Sequence, residues 1–448
     1  MTDDLPRLAG DLLAAATRAG ADAADVLAVG GASVSIDVLK GKLEHAERSE
    51  GTEIGLRVLL GRRQACISAS ELTPETFAAM AERAVAMARE APEDPHVALA
   101  PADALARNWD AAALDLVDDA PAPAPAHLQD MAMRAEAAAL AVDGVSQVSG
   151  AGAGWGEQVV HLAATNGFAG GYRRTGTSLS CVAITGEGTG MERDYYGDSR
   201  IHAVDLDDPE TVGRIAGERT VARAGARKPP TGAYPVIYDE RVAGGLIGHL
   251  LGAINGAAVA RGATFLRDAM GEAVLPDGID LWEDPLLPRV SGSRPFDAEG
   301  LPQGRRGLVE DGRLRSWVLD LSTAAQLGLA STGNAQRGTS APPSPGTTNI
   351  RMTEGPLSRD AMIAEMGTGL LVTSMIGSSI NATTGDYSRG ASGFWVENGE
   401  VAYPVNECTV AGNLRDMLRG LTPANDARHW TSRAVPSLRV EGLTIAGA

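Results

Sequence analysis

The chain of 448 residues carries 57 acidic side chains against 39 Lys and Arg, a formal net charge of −18. Nucleic-acid affinity depends on clustered cations that neutralise phosphates, so this balance argues against a DNA-tracking surface, and the length predicts two cores rather than one. Three dispersed cysteines, Cys66, Cys181 and Cys408, form neither a disulfide framework nor a CxxC zinc motif and fit a reducing cytoplasm, while the acidic start Met1-Thr2-Asp3-Asp4 and the lack of any apolar run of about 18 residues predict no secretion signal and no membrane span.

In chain order, Leu5 to Ala19 has the spacing of an amphipathic helix, and Val34 to Val38 alternates as a half-buried strand does. Residues 55–60 and 64–68 flank Gly61-Arg62-Arg63 and predict a hairpin. Thr73 is placed to cap a helix that opens on Pro74, runs to about Arg89 and stops before Pro92. Pro121 to Pro125 is expected to be a surface connector leading into a helix over His127 to Ala141. Four glycine-broken strands follow, over 145–153, 159–164, 171–184 and 192–204, with a meander as the simplest topology.

A helix from Pro209 to Ala226 leads into Arg227-Lys228-Pro229-Pro230-Thr231-Gly232, the clearest linker in the chain. Two domains are therefore expected, 1–228 and 229–448. The predicted class is α+β, with a layered N-terminal domain built on an antiparallel sheet and a mostly antiparallel β domain with a few helices after it. In the second half, Val309 to Leu314 and Trp395 to Val401 are predicted hairpins turning on Asp311-Gly312 and Asn398-Gly399. No repeat of fixed period is apparent. The paired arginines at 62–63, 173–174 and 305–306 are expected to cap turns or form ion pairs.

Asp239 to Val259 is a helical pattern with one histidine, His249. A zinc hydrolase helix needs two imidazoles on one face and a glutamate beside the first. Here Leu250 follows His249, and Ala253 and Ile254 occupy the next turn. The plain expectation is a helical histidine packed beside Leu246 and Leu250, its ring satisfied by a backbone carbonyl. Gly150 to Gly156 fails the dinucleotide fingerprint because Trp155 stands where a glycine is needed, and Gly390 to Phe394 fails the nucleophile-elbow pattern. Residues 381–395 gather glycines, hydroxyls and aromatics, so Thr384, Asp386, Ser388 and Arg389 are candidates to line a peptide cleft, with Arg389 receiving a carboxylate and the hydroxyls orienting the peptide. The competing reading is a glycine-rich turn feeding a core strand.

Taken together, Gly248-His249-Leu250-Leu251, Ser331-Thr332-Gly333-Asn334-Ala335, Thr384 to Trp395 and Thr409-Val410-Ala411-Gly412-Asn413-Leu414 resemble the TldD/PmbA family, on its PmbA (TldE) branch. Gly51 to Val58 and Glu93-Asp94-Pro95 extend the resemblance through the first domain. It implies a dimer enclosing a peptide-accepting cavity, with zinc held by HExxxH and a distant cysteine in a TldD-like partner. Carried over by position, His249 matches the first histidine, while Leu250 replaces the glutamate and Ile254 the second histidine. Cys408 precedes Thr409 to Asn413 rather than standing in the catalytic branch's cysteine motif, so no metal ligand and no catalytic residue is assigned to this chain.

The resemblance further implies a cytoplasmic, non-catalytic subunit of a metallopeptidase that acts on unfolded or short peptides and holds extended peptide by strand addition, with His249 among the substrate-binding candidates. An older family name, modulator of DNA gyrase, sits poorly with the acidic charge. The alternatives are a stand-alone peptide-binding or regulatory homodimer, and a metallopeptidase using His249 and Cys408 with unrecognised carboxylates.

Overall fold

The computed structural model describes residues 4–447. The alternating pattern noticed over residues 34–38 is the end of a far longer strand, and the N-terminal half is built around it. Its elements are α1 (Leu5–Arg18), β1 (Ala23–Leu39), β2 (Lys42–Leu60), β3 (Arg63–Ala69), α2 (Pro74–Glu90), α3 (Pro125–Leu140), β4 (Val145–Ala164), β5 (Ala169–Thr185), β6 (Glu192–Arg200) and α4 (Pro209–Val221). The strands form one antiparallel sheet in the order β3-β2-β1-β4-β5-β6. It consists of two three-stranded meanders joined through β1 and β4, each preceded and followed by a helix. The topology thus repeats where the sequence shows no repeat.

Local chemistry explains several boundaries. Thr73 accepts a hydrogen bond from the Thr76 amide, as its capping position predicts. Gly61, at φ +55°, turns β2 into β3. Glycines 150, 152, 154 and 156 do not break β4 in two, contrary to expectation: they run through one strand of 20 residues. A side chain at Gly152 would sit 2.6 Å from an Asp37 oxygen, and one at Gly154 would sit 3.1 Å from Ser178 Oγ, so glycine admits these neighbours.

The pleat sends alternate residues to opposite faces. Val26, Ile54, Leu56 and Val58 pack against α1 and α2, whereas Ile36, Ala153, Leu179 and Cys181 pack against α3 and α4. Both cores lie on the same sheet face, because Val26 pairs with Ala163 and Ile36 with Ala153. The opposite face is left for the second half of the chain. Because β3 pairs only with Ile54–Leu60, residues 42–53 of β2 form a charged outer edge among the described residues.

The remaining elements are β7 (Gly232–Tyr238), α5 (Glu240–Ala253), α6 (Gly256–Ala260), β8 (Leu281–Glu283), β9 (Arg306–Glu310), β10 (Arg313–Leu314), α7 (Leu321–Leu327), β11 (Ala335–Gln336), β12 (Ser344–Pro345), β13 (Ile350–Met352), α8 (Arg359–Met366), β14 (Gly369–Ile380), β15 (Asp386–Glu397), β16 (Glu400–Asn413), α9 (Leu414–Arg419), β17 (Leu421–Pro423), β18 (Arg433–Ala434) and β19 (Leu438–Ala446). One sheet runs β16-β15-β14-β7-β19-β17, and a further pairing of β16 with β19 closes five of its strands into a ring. A second sheet, β10-β9-β8-β13-β18, lies beside it. Most pairings are antiparallel, with β7–β14 and β13–β18 the parallel ones. The α+β class is as expected from sequence.

Both predicted hairpins form, with positive φ at Asp311, Gly312, Asn398 and Gly399. The helical pattern from Asp239 does not run unbroken to Val259. It stops at Ile254, and Asn255 caps a separate short helix through the Ala257 amide. The predicted linker is held down: the Arg227 amide donates to Pro404 O at 3.1 Å, and its guanidinium lies over Tyr403 at 3.7 Å.

The two halves are tied through buried charge. Asp25 on β1 accepts from Arg57 Nε at 2.7 Å and pairs with Arg337 from the second half. Gly55 lets the 337–339 segment close on β2, since a Cβ there would lie 1.9 Å from Thr339 O. The Ser331-to-Ala335 motif is also structural. Asn334 Nδ2 donates to both oxygens of Glu283 at 3.0 and 2.9 Å, and Thr332 Oγ1 donates to Asn334 Oδ1 at 2.8 Å.

Candidate functional site

The helix α5 opens at Asp239, whose carboxylate accepts from the Arg241 amide and pairs with Arg241 at 3.0 Å and Arg359 at 2.9 Å. One face, with Ala243, Leu246, Ile247, Leu250 and Leu251, is buried in the ring's core. The other carries Gly244, Gly245, Gly248, His249 and Gly252. These glycines make room for arginines. A Cβ on Gly248 would meet Arg433 Nη1 at 3.1 Å, one on Gly244 would meet Arg433 Cδ at 3.2 Å, and one on Gly245 would come within 4.0 Å of Arg389 Nη1.

His249 packs edge-on against Tyr387, with ring centroids 5.8 Å apart. Its Nε2 is buried and has no hydrogen-bond partner, so no carbonyl satisfies the ring at that nitrogen. Burial, and after it the positive charge of Arg389, push the imidazole below its ordinary pKa, which keeps it neutral. Zinc does not fit this surrounding. A divalent cation needs several N, S or O donors at about 2 Å, and the ring's neighbours here are a phenol, aliphatic carbons and a guanidinium. Among the described residues, no three His, Cys, Asp or Glu side chains converge to hold a metal. Cys408 lies in the ring's core, its Sγ donating to Ala391 O at 3.2 Å, and burial raises its thiol pKa to about 11.

The 384–389 candidates divide across β15. Strand alternation puts Tyr387 and Arg389 on the α5 side and Asp386 and Ser388 on the other. Thr384 goes with Asp386, donating to its Oδ2 at 2.7 Å, and Asn413 reaches the second oxygen at 3.3 Å. Arg389 Nε donates to Gly377 O at 2.8 Å. Only Arg389 of this group therefore meets the His249 helix, and the five candidates do not line one cleft.

The larger concavity lies elsewhere. A cavity of about 700 Å³ opens between the free face of the first sheet and the loops of the second half, within the range that holds a short peptide or small ligand. Its floor is three cross-strand rows: Leu27 beside Leu162, Val29 beside Val160 and Tyr172, and Gln158 beside Arg174. Phe296 forms a wall, stacked edge-on against Trp109, Phe168 and Tyr172 at 5.0–5.7 Å. Arg174, Arg294, Arg337 and Arg433 stand around it. Arg433 and Ser432 also line a second cavity of about 440 Å³ that reaches Gly244 and Gly245 of α5, so the arginine-lined cleft and the His249 helix share a border.

Sequence reading missed these arginines. Arg173-Arg174 was expected to be an ion pair or turn cap, and that holds for Arg173, which pairs with Glu157 at 2.8 Å. Arg174 instead donates to the carbonyls of Ser291 and Ser293 at 2.8 and 3.3 Å, clamping the Ser291–Asp297 loop over the sheet. The four side chains come from four distant segments, and no local motif joins them.

With this geometry in hand, comparison with known proteins is specific. Three family models match in order: PmbA/TldA metallopeptidase domain 1 over residues 24–88, the central domain over 118–224 and the C-terminal domain over 231–447. The chain is 38% identical to Metalloprotease PmbA of Escherichia coli O157:H7, covering 95% of this chain and 92% of that one. It is 35% identical to a PmbA homologue of Haemophilus influenzae, over 96% and 94% of the two chains. Among solved structures, a Bacteroides thetaiotaomicron protein described as a candidate modulator of DNA gyrase superposes with a TM-score of 0.91 at 27% identity, covering 100% and 99%. TldE of Thermococcus kodakarensis shares the fold, with a TM-score of 0.85 at 21% identity over 98% and 100%. The chain belongs to the PmbA/TldD metallopeptidase family, on its PmbA branch. No helix among the described residues is long and apolar enough to cross a membrane.

Proposed function

We propose that this chain is the non-catalytic subunit of a heterodimeric TldD/TldE-type peptidase acting on unfolded or short peptides, with zinc and the proton-transferring glutamate supplied by a TldD-like partner. The observation that carries this reading is the surrounding of His249. The one imidazole on the helix that corresponds to a metal-binding helix faces Tyr387 and the charge of Arg389, and Leu250 and Ile254 are packed into the core. A donor set of that kind neither holds a divalent cation nor deprotonates water.

What the chain contributes is surface. The cavity between its halves is lined by apolar rows and cationic side chains suited to an extended peptide, and the outer edge of β2 offers unpaired backbone groups to an added strand. Cleavage of an unfolded peptide by the purified chain, by a TldD-like subunit bearing HExxxH, and by the two mixed is the test. The expected outcome is metal-dependent cleavage only where the TldD-like subunit is present and enhancement by this chain. Robust metal-dependent cleavage by this chain alone overturns the reading. Failure of the two to associate, with the chain running as a homodimer that binds peptide, replaces it with a stand-alone binding protein.

A further inference from the structure

In a protein whose formal charge is −18, the main cavity is lined by four guanidinium groups and, among the described residues, by a single carboxylate, Asp297. That carboxylate is already spent. Its Oδ1 accepts from the amides of Glu299 and Leu301 at 2.9 and 2.8 Å, and its Oδ2 accepts from the amide of Ala335 at 3.0 Å. Two of the arginines have structural partners: Arg174 holds the carbonyls of Ser291 and Ser293, and Arg337 is paired with Asp25. Arg294 has none of this kind. Its Nε and Nη2 are buried without any hydrogen-bond partner, and Arg337 keeps its own Nε and Nη2 unpartnered as well.

An arginine whose donors are shielded from water and left unmatched costs stability, because desolvation is not offset by pairing. Burial pushes the Arg294 guanidinium below its usual pKa, outweighing the charges of Asp297 and Glu283, which act on it through space without a hydrogen bond. An anion brought into the cavity relieves that cost, and in a water-poor cleft its attraction to several guanidiniums is stronger than at a surface. The floor beneath the arginines is apolar, with Leu27, Val29, Val160 and Leu162. The ligand these features match carries a carboxylate next to an aliphatic side chain.

The geometry points to a carboxylate-anchoring site at Arg294, Arg174 and Arg433 that takes the C-terminal carboxylate of a peptide ending in an apolar residue, whose side chain lies on the Leu27–Val160 floor. This deepens the peptide-handling reading and rests on it. The chain would then hold substrates by their C-terminal end, with the scissile bond upstream toward the border that Arg433 shares with α5.

The test is fluorescence anisotropy on the full chain with three labelled hexapeptides: one ending in Leu with a free carboxylate, the same peptide amidated, and an amidated version with Glu as its last residue. The free acid is expected to bind at least about tenfold more tightly than the Leu amide, the effect of losing a charge-assisted hydrogen bond. Arg294→Gln is expected to remove that difference. Since Arg294 Nε and Nη2 bond to nothing in the protein, the substitution breaks no hydrogen bond at these atoms. Arg433→Gln, at an exposed side chain bonded to Gly244 O, is expected to shrink the difference and serves if the first variant does not fold. Tight binding of the Glu amide alone overturns C-terminal anchoring, since the arginines would then take a side-chain carboxylate. Equal binding of all three peptides overturns the site but leaves peptide handling standing, whereas binding of none overturns both.

Discussion

Asp25 and Arg337, 312 residues apart in the chain, form an ion pair whose side chains are 4% and 1% exposed. The same carboxylate holds Arg57, so one aspartate on the first sheet neutralises two guanidiniums at the seam between the halves. Burial is the largest influence on its pKa and pushes it up, but Arg337 and Arg57 together outweigh burial and hold Asp25 below the ordinary 3.8. Asp25→Ala leaves two buried cations unmatched, and a loss of about 3–5 kcal/mol is expected. Urea unfolding of the two proteins measures it, and a change below about 1 kcal/mol would show that the seam does not depend on this triad. A carboxylate depressed in the folded state contributes stability that is full above its unfolded pKa and is lost as pH falls through the folded one. This part of the stability should therefore hold above about pH 4 and fade below it, and the variant should lack that acid limb.

Gly55 provides a steric test of the same seam. A methyl group there would lie 1.9 Å from Thr339 O and 2.6 Å from two further Thr339 atoms, all backbone, so the 337–339 segment must move. Gly55→Ala should cost roughly 1–3 kcal/mol, as overpacking does. Calorimetry should show a lowered Tm, and an unchanged Tm would mean that the segment yields freely.

His249 has an orphaned Nε2 and a pKa lowered from 6.5 by burial and by Arg389. The unfolded chain takes up the proton more readily, so the stability tied to the neutral ring is complete above pH 6.5 and declines as pH drops through the folded value. An NMR titration of the imidazole should give a midpoint below 6.5. His249→Leu removes an unmatched polar atom and should be neutral or stabilising by about 1 kcal/mol; a loss of 2 kcal/mol or more would contradict the packing described for this ring.

The three thiols should react in order of burial. Cys181 and Cys408 are buried, with pKa values raised to about 12 and about 11, mainly by burial. Cys66 is only partly buried. The thiolate is the reacting form, so brief iodoacetamide treatment of the native protein at pH 8 should label Cys66 first. Peptide mass spectrometry reads this out, and early labelling of Cys408 would show that the ring opens readily.

Local chemistry was legible in the sequence, and assembly was not. Thr73 caps α2 and Asp311-Gly312 and Asn398-Gly399 turn their hairpins because each depends on the dihedral or hydrogen-bonding habits of one or two residues. The alternating glycines of β4 looked like breaks because their use, admitting Asp37 and Ser178 from neighbouring strands, exists only in the paired sheet. The packing of His249 against Tyr387, with its Nε2 unmatched, could not be read from the helix's own residues, because Tyr387 comes from a strand more than 130 residues further on. The division of Thr384, Asp386 and Ser388 from Arg389 follows from a strand beginning at Asp386, which a polar, glycine-rich segment does not announce. The cavity arginines were invisible because Arg174, Arg294, Arg337 and Arg433 meet only once the second half docks on the sheet.

The closed ring of the second half bears on how the protein is made. Its strand β7 is bordered by β14 and β19, and β19 also meets β16. Roughly 200 residues separate β7 from β19, so at ribosomal speeds the early strand waits on the order of 10–40 s for its neighbour. Until then its edge is open to wrong pairings, and the nascent second half depends on the finished first sheet, or on a chaperone, for cover.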